Sequence, residues 1–384
     1  MTRGLSSART RACALILASL GLVACSSGPT IVPNELTSIN ASRALKVDWT
    51  ASVGEAGERP AVRLAPFVGD GRVFSVNAEG LVVAMDSASG SRVWRKELNE
   101  AITAGVSGDA ERLYVASEDG KVFALEQSDG SVAWTANVSS EVIAAPVAGA
   151  GSVLVRSIDG RVVALERANG ERRWVYSYNV PALSLHGNGR ALAVPDGYLV
   201  GLDNGRLVAL RARDGRVFWE LSLAGDAGRS EVDKLNDLDA DIKLYDDRIY
   251  AVSYQGNLAQ VDPSRGATDW RAPMSSAVGF SVDAERVYVT DEFDTVWGLS
   301  RVNGEVLWKQ ESFTNRRLTA PAISDDVLLV GDFEGYVHML SVEDGTIVGR
   351  RKVGGAEIMG SPVRRDDGFY VQDRDGRLAR LSVN

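Results

Sequence analysis

Three carboxylates at alternate positions, Asp237, Asp239 and Asp241, form the feature of this chain that most resembles a chemical site. Such spacing opens a calcium loop of the EF-hand type, which needs Gly for a sharp turn at the sixth position and a bidentate Glu at the twelfth. Ile242 and Arg248 occupy those positions, so the pattern fails. It reads as a solvated acidic loop or a protein contact. Other reactive residue types are sparse. Of the two histidines, His186 sits in a connector with no His or Cys companion, and His338 takes the strand position held elsewhere by Val83, Phe123, Val163 and Trp297, a packing position. Cys13 and Cys25 both lie near the amino terminus, so the body of the chain can form no disulfide. Gly69-Asp70-Gly71 and Gly149-Ala150-Gly151 lack the third glycine of a phosphate-binding loop, and no Gly-x-Ser-x-Gly occurs. Enzymes that use a metal or a nucleophile need clustered ligands or a base beside the attacking atom. The sequence offers neither, and no catalytic residue, metal ligand or cofactor is expected.

What would position any site here is a repeat. A glycine is followed four residues later by tryptophan at Gly90/Trp94, Gly130/Trp134, Gly170/Trp174, Gly215/Trp219, Gly266/Trp270 and Gly304/Trp308, whereas Gly345 is followed by Gly349. A second series of turns ends at Gly80, Gly120, Gly160, Gly205, Gly256, Asp294, Gly335 and Gly376, at intervals of 40, 40, 45, 51, 38, 41 and 41 residues. A period near forty, built of short apolar runs between glycine turns, predicts a β-propeller. In the first unit the runs 65–68, 72–76, 81–86 and 93–98 predict four antiparallel strands. The Asp-Gly and Asn-Gly pairs are expected to close two-residue hairpins with both central residues at positive φ. The third strand is apolar on both faces, with Val82, Val122 and Val162 on one and Met85, Leu125 and Leu165 on the other. It must therefore be covered on both sides, as between stacked blades.

Eight inner turns against seven outer ones specify the closure. After Gly376 only one more strand fits before the chain ends, and 47–51, with Trp49, reads as an outer strand with no blade before it. The expected fold is all-β: one eight-bladed β-propeller of four-stranded antiparallel blades over residues 44–384, the last blade completed by the N-terminal strand. Such a splice removes free sheet edges.

Ahead of it, Arg3, Arg9 and Arg11 precede an uncharged apolar run over 12–24, the pattern of a secretory signal. Leu22-Val23-Ala24-Cys25 looks like a bacterial lipobox, which implies cleavage after residue 24, acylation of Cys25 and a flexible tether over 25–43. Ser26 resembles the sorting pattern of outer-membrane lipoproteins. The net charge of −9 becomes more negative once the leader arginines are lost, which argues against binding nucleic acid or an anionic bilayer through the protein surface.

Two connectors break the period. From an outer-strand Trp to the next blade's second strand the interval is 17 to 19 residues in most units, but 25 from Trp174 to Leu199 and 30 from Trp219 to Ile249. Both join an outer strand to the next inner one at adjacent junctions, so both insertions should emerge on one face, the usual binding face of a repeat protein. The first carries Leu183, Leu185 and His186, and the second the run Ser230-Glu231-Val232-Asp233-Lys234-Leu235-Asn236-Asp237-Leu238-Asp239. With the lipobox and the eight repeats, these segments resemble the BamB family of β-barrel assembly lipoproteins over essentially the whole mature chain. The resemblance implies a non-enzymatic scaffold on the periplasmic side of the outer membrane. It would bind the POTRA domains of the insertase BamA and assist nascent outer-membrane proteins. It also implies contact through Leu183, Leu185, His186, Asp237 and Asp239, the leucines as apolar anchors and the carboxylates pairing with a basic partner. His186 departs from the arginine common in that family. The repeat is also similar to the propeller of pyrroloquinoline-quinone dehydrogenases, whose vicinal disulfide this chain cannot make. A quinoprotein-like dehydrogenase and a general peptide- or polysaccharide-binding propeller are the alternatives.

Overall fold

The computed structural model describes residues 32–54, 64–185, 187–225, 236–365 and 368–384. All the regular elements among them are strands, gathered into eight four-stranded antiparallel sheets. Blades one to seven span residues 67–97, 102–137, 147–177, 192–222, 243–274, 279–310 and 322–352, and each is an up-and-down meander. Blade eight takes three strands from 363–383, and its outermost strand is Leu45–Ser52, paired with Arg377–Val383 from Leu45 opposite Val383 to Ser52 opposite Arg377. The terminal pairing continues in mutual backbone bonds between Ala44 and Asn384. The expected eight-bladed β-propeller and its splice are thus the observed fold.

The core is divided by the same geometry. Eight buried apolar clusters fill the eight gaps between blades, for instance Val82, Ala84 and Phe74 against Leu113, Val115 and Leu125 in the gap between blades one and two. Because every third strand is clothed on both faces, burying both rows stabilises the stack by roughly 1.5–3 kcal/mol per large side chain.

The tryptophans pin the periphery. Each of the seven outer-strand rings lies over the outer-hairpin glycine of the next blade, and its indole N–H donates to the carbonyl three residues before that glycine. Trp134 packs on Gly170 and donates to Arg167 O at 3.0 Å, and Trp174 packs on Gly215 and donates to Ala212 O at 2.8 Å. Trp49 does the same across the closure, on Gly90 and Ser87 O. Seven of the eight junctions carry this dock. The eighth, between blades seven and eight, has no outer hairpin to receive a ring, since the outer strand there comes from the other end of the chain. Gly349 stands where that Trp would be, and a Cβ on it would lie 2.7 Å from Arg43 O. The glycine makes room for the incoming chain.

One local expectation is corrected. The inner turns are four-residue loops in which only the final glycine is left-handed, as at Gly80 (φ 92°), where Gly80 N donates to Asn77 O. Two turns depart from this: in the fifth Gln255 (φ 48°) is left-handed in place of Gly256, and in the sixth Asp294 (φ 63°) stands at the glycine's own position. A type I turn followed by a left-handed glycine explains the common form, with the Asn77 side chain accepting from Leu81 N at 2.8 Å to close the loop.

Candidate functional site

In each blade the strands alternate in direction from the axis outward. The connectors from an outer strand to the next inner strand therefore share one face with the inner hairpins; we call it the connector face. The described parts of the long segments after blades three and four, 178–185 and 187–191 and then 223–225 and 236–242, lie there, while 226–235 fall outside the described residues.

Extended chain places alternate side chains on one side, and the 237–241 stretch uses this to grip its neighbour. Asp237 accepts from Ser184 Oγ at 2.6 Å and Leu185 N at 2.5 Å. Asp239 accepts from Gly187 N at 3.0 Å. Asp241 accepts from Arg190 N at 2.8 Å and from its guanidinium at 2.9 and 2.6 Å. Leu238, between the carboxylates, turns the other way into the core between blades four and five. Three successive carboxylates thus zip the second connector to the first. Gly187 is obligatory in this arrangement, because a Cβ there would fall 1.9 Å from Asp239 Cγ.

The reading of a solvated acidic loop is overturned at this point: Asp237 is 0 % and Asp239 2 % exposed. Their carboxylates face inward because the connector's backbone donors lie there, which leaves them nothing to offer a basic partner at the surface. The leucines do the opposite. Leu183 and Leu185 are 49 % and 43 % exposed, held outward on the loop the carboxylates fix. His186 lies outside the described residues, as does Cys25.

Burying charge requires compensation, and part of it comes from a residue the sequence reading passed over. Arg156, in the second strand of blade three, donates to Gly187 O at 2.5 Å and Gly201 O at 2.7 Å and lies 3.4 Å from Asp203. Asp203 in turn accepts from Tyr178 OH at 3.0 Å. The signal was legible: the matching positions in blades one and two are Val76 and Ala116, and an arginine in an apolar register needs a reason. Carboxylate oxygens of Asp203, Asp237 and Asp239 come within 4.8 Å of one another, a spacing that could hold a metal ion, but the Arg156 guanidinium already supplies a cation beside them. Burial, then the neighbouring Asp237, pushes the Asp239 carboxyl up to about 7, against the pull of Arg156.

The zipper borders an axial cavity of about 780 Å³, lined by residues of blades one, two, five, six and eight and by the connectors that enter blades three, four and seven. Carboxylates around it are engaged by protein donors. Asp291 accepts from Trp297 Nε1 at 2.8 Å, Asp294 from the amides of Arg317 and Leu318, and Glu357 from Arg374 at 2.8 Å. With no cysteine in residues 44–384, the vicinal disulfide of the pyrroloquinoline-quinone dehydrogenases cannot form at this axis.

His338 is also more than packing. Arg350 Nε donates to its Nδ1 at 3.0 Å, so the neutral tautomer with Nε2–H is fixed, and that group donates to Asp332 at 2.9 Å. Burial holds the imidazole pKa below its usual value.

Fold and site together define a propeller of quinoprotein-type repeats whose distinctive feature is a pair of zipped connector loops. The family model described as outer membrane protein assembly factor BamB matches residues 78–310 and 303–384. An assembly factor BamB from Alkalilimnicola ehrlichii is 44 % identical, covering 96 % of both chains, and that of Pseudomonas aeruginosa is 43 % identical, covering 96 % of this chain and 98 % of its own. The Escherichia coli protein is 32 % identical over 96 % of this chain and 95 % of its own. The crystal structure of BamB from Moraxella catarrhalis superposes with a TM-score of 0.81 at 25 % identity, covering 88 % of this chain and all of that one. A quinohemoprotein alcohol dehydrogenase from Comamonas testosteroni shares the fold alone, with a TM-score of 0.70 at 13 % identity, covering 88 % of this chain and 76 % of its own. The chain belongs to the BamB family of outer membrane protein assembly factors.

Proposed function

We propose that this chain is a non-enzymatic scaffold of outer-membrane β-barrel assembly, anchored in the outer membrane by a lipid on Cys25, that docks on the periplasmic POTRA domains of BamA and helps barrel proteins fold and insert. The observation that carries the reading is the presentation of Leu183 and Leu185: two apolar side chains on either side of Ser184, exposed on a loop that five carboxylate and arginine groups hold in place. A preorganised loop loses little entropy on binding, so its apolar anchors can act at nearly full strength. Asp237, Asp239 and Arg156 contribute by holding the loop's shape, and the leucines make the contact. Membership in a family named for assembly supports the same role.

The test replaces the anchors and leaves the zipper intact. A Leu183→Glu, Leu185→Glu variant should unfold at the parent's temperature yet lose at least tenfold in affinity for purified POTRA domains and fail to co-purify with BamA. Parent-like binding by the folded variant would remove the connector face from the interface.

A further inference from the structure

The chain ahead of the splice is not a loose tether throughout. The compact unit begins at Asn34, ten residues before the expected boundary. Residues 34–43 run along the outer strand of blade seven, Ile347–Lys352. Asn34 N donates to Thr314 O at 3.0 Å, and Ser42 N and Arg43 N donate to Val348 O at 2.9 and 3.0 Å. Two arginines clamp the backbone between these points: Arg316 donates to Asn34 O at 2.9 Å and Arg350 to Thr37 O at 3.1 Å. Leu36 packs on the apolar cluster that holds Phe313 and Trp308, and Arg43 pairs with Asp326. Arg316 is itself buried and gripped by Asp332 at 2.7 and 3.0 Å, so the clamp is part of the core.

The direction of this run carries the consequence. Asp326 belongs to a hairpin on the face opposite the connectors, and Thr314 belongs to the connector between blades six and seven. The lead therefore crosses the full height of the blade, and the chain leaves the propeller at the connector face. We infer that the connector face is turned toward the membrane, with a phospholipid surface as its neighbour and the apolar anchors Leu183 and Leu185 on the membrane-proximal side. The inference rests on the lipid-anchor reading of Cys25.

Chain length decides between the two faces. Eight residues lie between Cys25 and Asn34, nine backbone steps in all. A relaxed segment of that length spans about 15–18 Å, and a fully extended one about 30 Å. An outer strand of six residues alone rises about 20 Å. With the connector face toward the bilayer the relaxed segment suffices. With the opposite face toward it, the segment must stretch nearly straight around the blade. If residues 34–43 were free, the two orientations would be nearly equivalent; the docked lead separates them.

Residues 44–384 contain no cysteine, so single probes can be placed on each face of blade six: Phe293→Cys on the connector face and Val302→Cys on the other, both at strongly exposed positions. The full-length acylated protein is reconstituted in phosphatidylethanolamine/phosphatidylglycerol vesicles with an acceptor dye on the headgroups, and energy transfer is read from a donor at each cysteine. Transfer several-fold stronger from position 293 is expected. Inserting about ten Gly/Ser residues after Pro33 should narrow the difference without lowering the unfolding temperature. Equal transfer from the two positions, or stronger transfer from 302, overturns the orientation while leaving the anchor in place. A mature protein with no diacylglyceryl mass on Cys25 and no vesicle association overturns the anchor reading and the orientation with it.

Discussion

Asp239 shows how a buried acid can be structural and costly at once. Its pKa of about 7 lies above the value of about 4 for an unfolded Asp. Between those values the native state keeps a proton that the unfolded chain has released, so stability falls as pH rises through the window and levels off above it. Asp239→Asn cannot ionise, keeps the acceptor for Gly187 N, and presents an amide donor toward the neighbouring carboxylates. We expect its stability advantage over the parent, measured by urea unfolding, to grow from small at pH 5 to about 2 kcal/mol at pH 8. An advantage of the same size at both pH values would mean that the proton is not held at this residue. His338 works in the other direction: its pKa is lowered, so the unfolded chain binds a proton that the native state refuses, and the contribution is lost as pH falls through the ordinary histidine range.

At the scale of the element, the recurring joint is a flat ring laid on a glycine. Gly170 needs φ 76°, and a Cβ on it would sit 2.6 Å from the Trp134 ring. Gly170→Ala would both strain the backbone and lift the indole from its carbonyl partner. Guanidinium unfolding should show a loss of about 2–4 kcal/mol, more than left-handed strain alone would cause. An effect below about 1 kcal/mol would mean that the ring makes no tight dock. These joints were legible because they repeat: Gly-to-Trp spacing, turn period and two-sided apolar strands all describe the same blade. The site was only half legible for the opposite reason. The broken period put the two connectors on one face and the family resemblance pointed to Leu183, Leu185, Asp237 and Asp239 on them, but burial depends on where a connector fifty residues away supplies its N–H groups, and no local pattern carries that. The same holds for Asn34 to Arg43, whose polar composition suggested a free tether although two distant arginines bind its carbonyls.

The propeller is a closed band whose fastening is the pairing of Leu45–Ser52 with Arg377–Val383. Ending the chain at Gly376 should leave two strand edges and an uncovered apolar face, giving aggregation on size-exclusion chromatography and loss of the sharp thermal transition. Moving residues 44–53 to follow Asn384 through a short turn, in an otherwise complete chain, should preserve a monomeric propeller, since those ends already lie side by side. An intact monomer from the truncated chain would mean that closure is dispensable.

The junction that lacks a tryptophan gives the ring a preferred place to come undone. Seven seams are riveted by an indole; at the eighth, Gly349 meets the backbone of Arg43 instead, where the leader passes from blade seven into the outer strand of blade eight. Heat or mechanical load should therefore act first on the leader's grip, and amide exchange along residues 34–43 should report the earliest loosening of the circle. A tug on the anchoring end would be felt at the one seam that has no rivet.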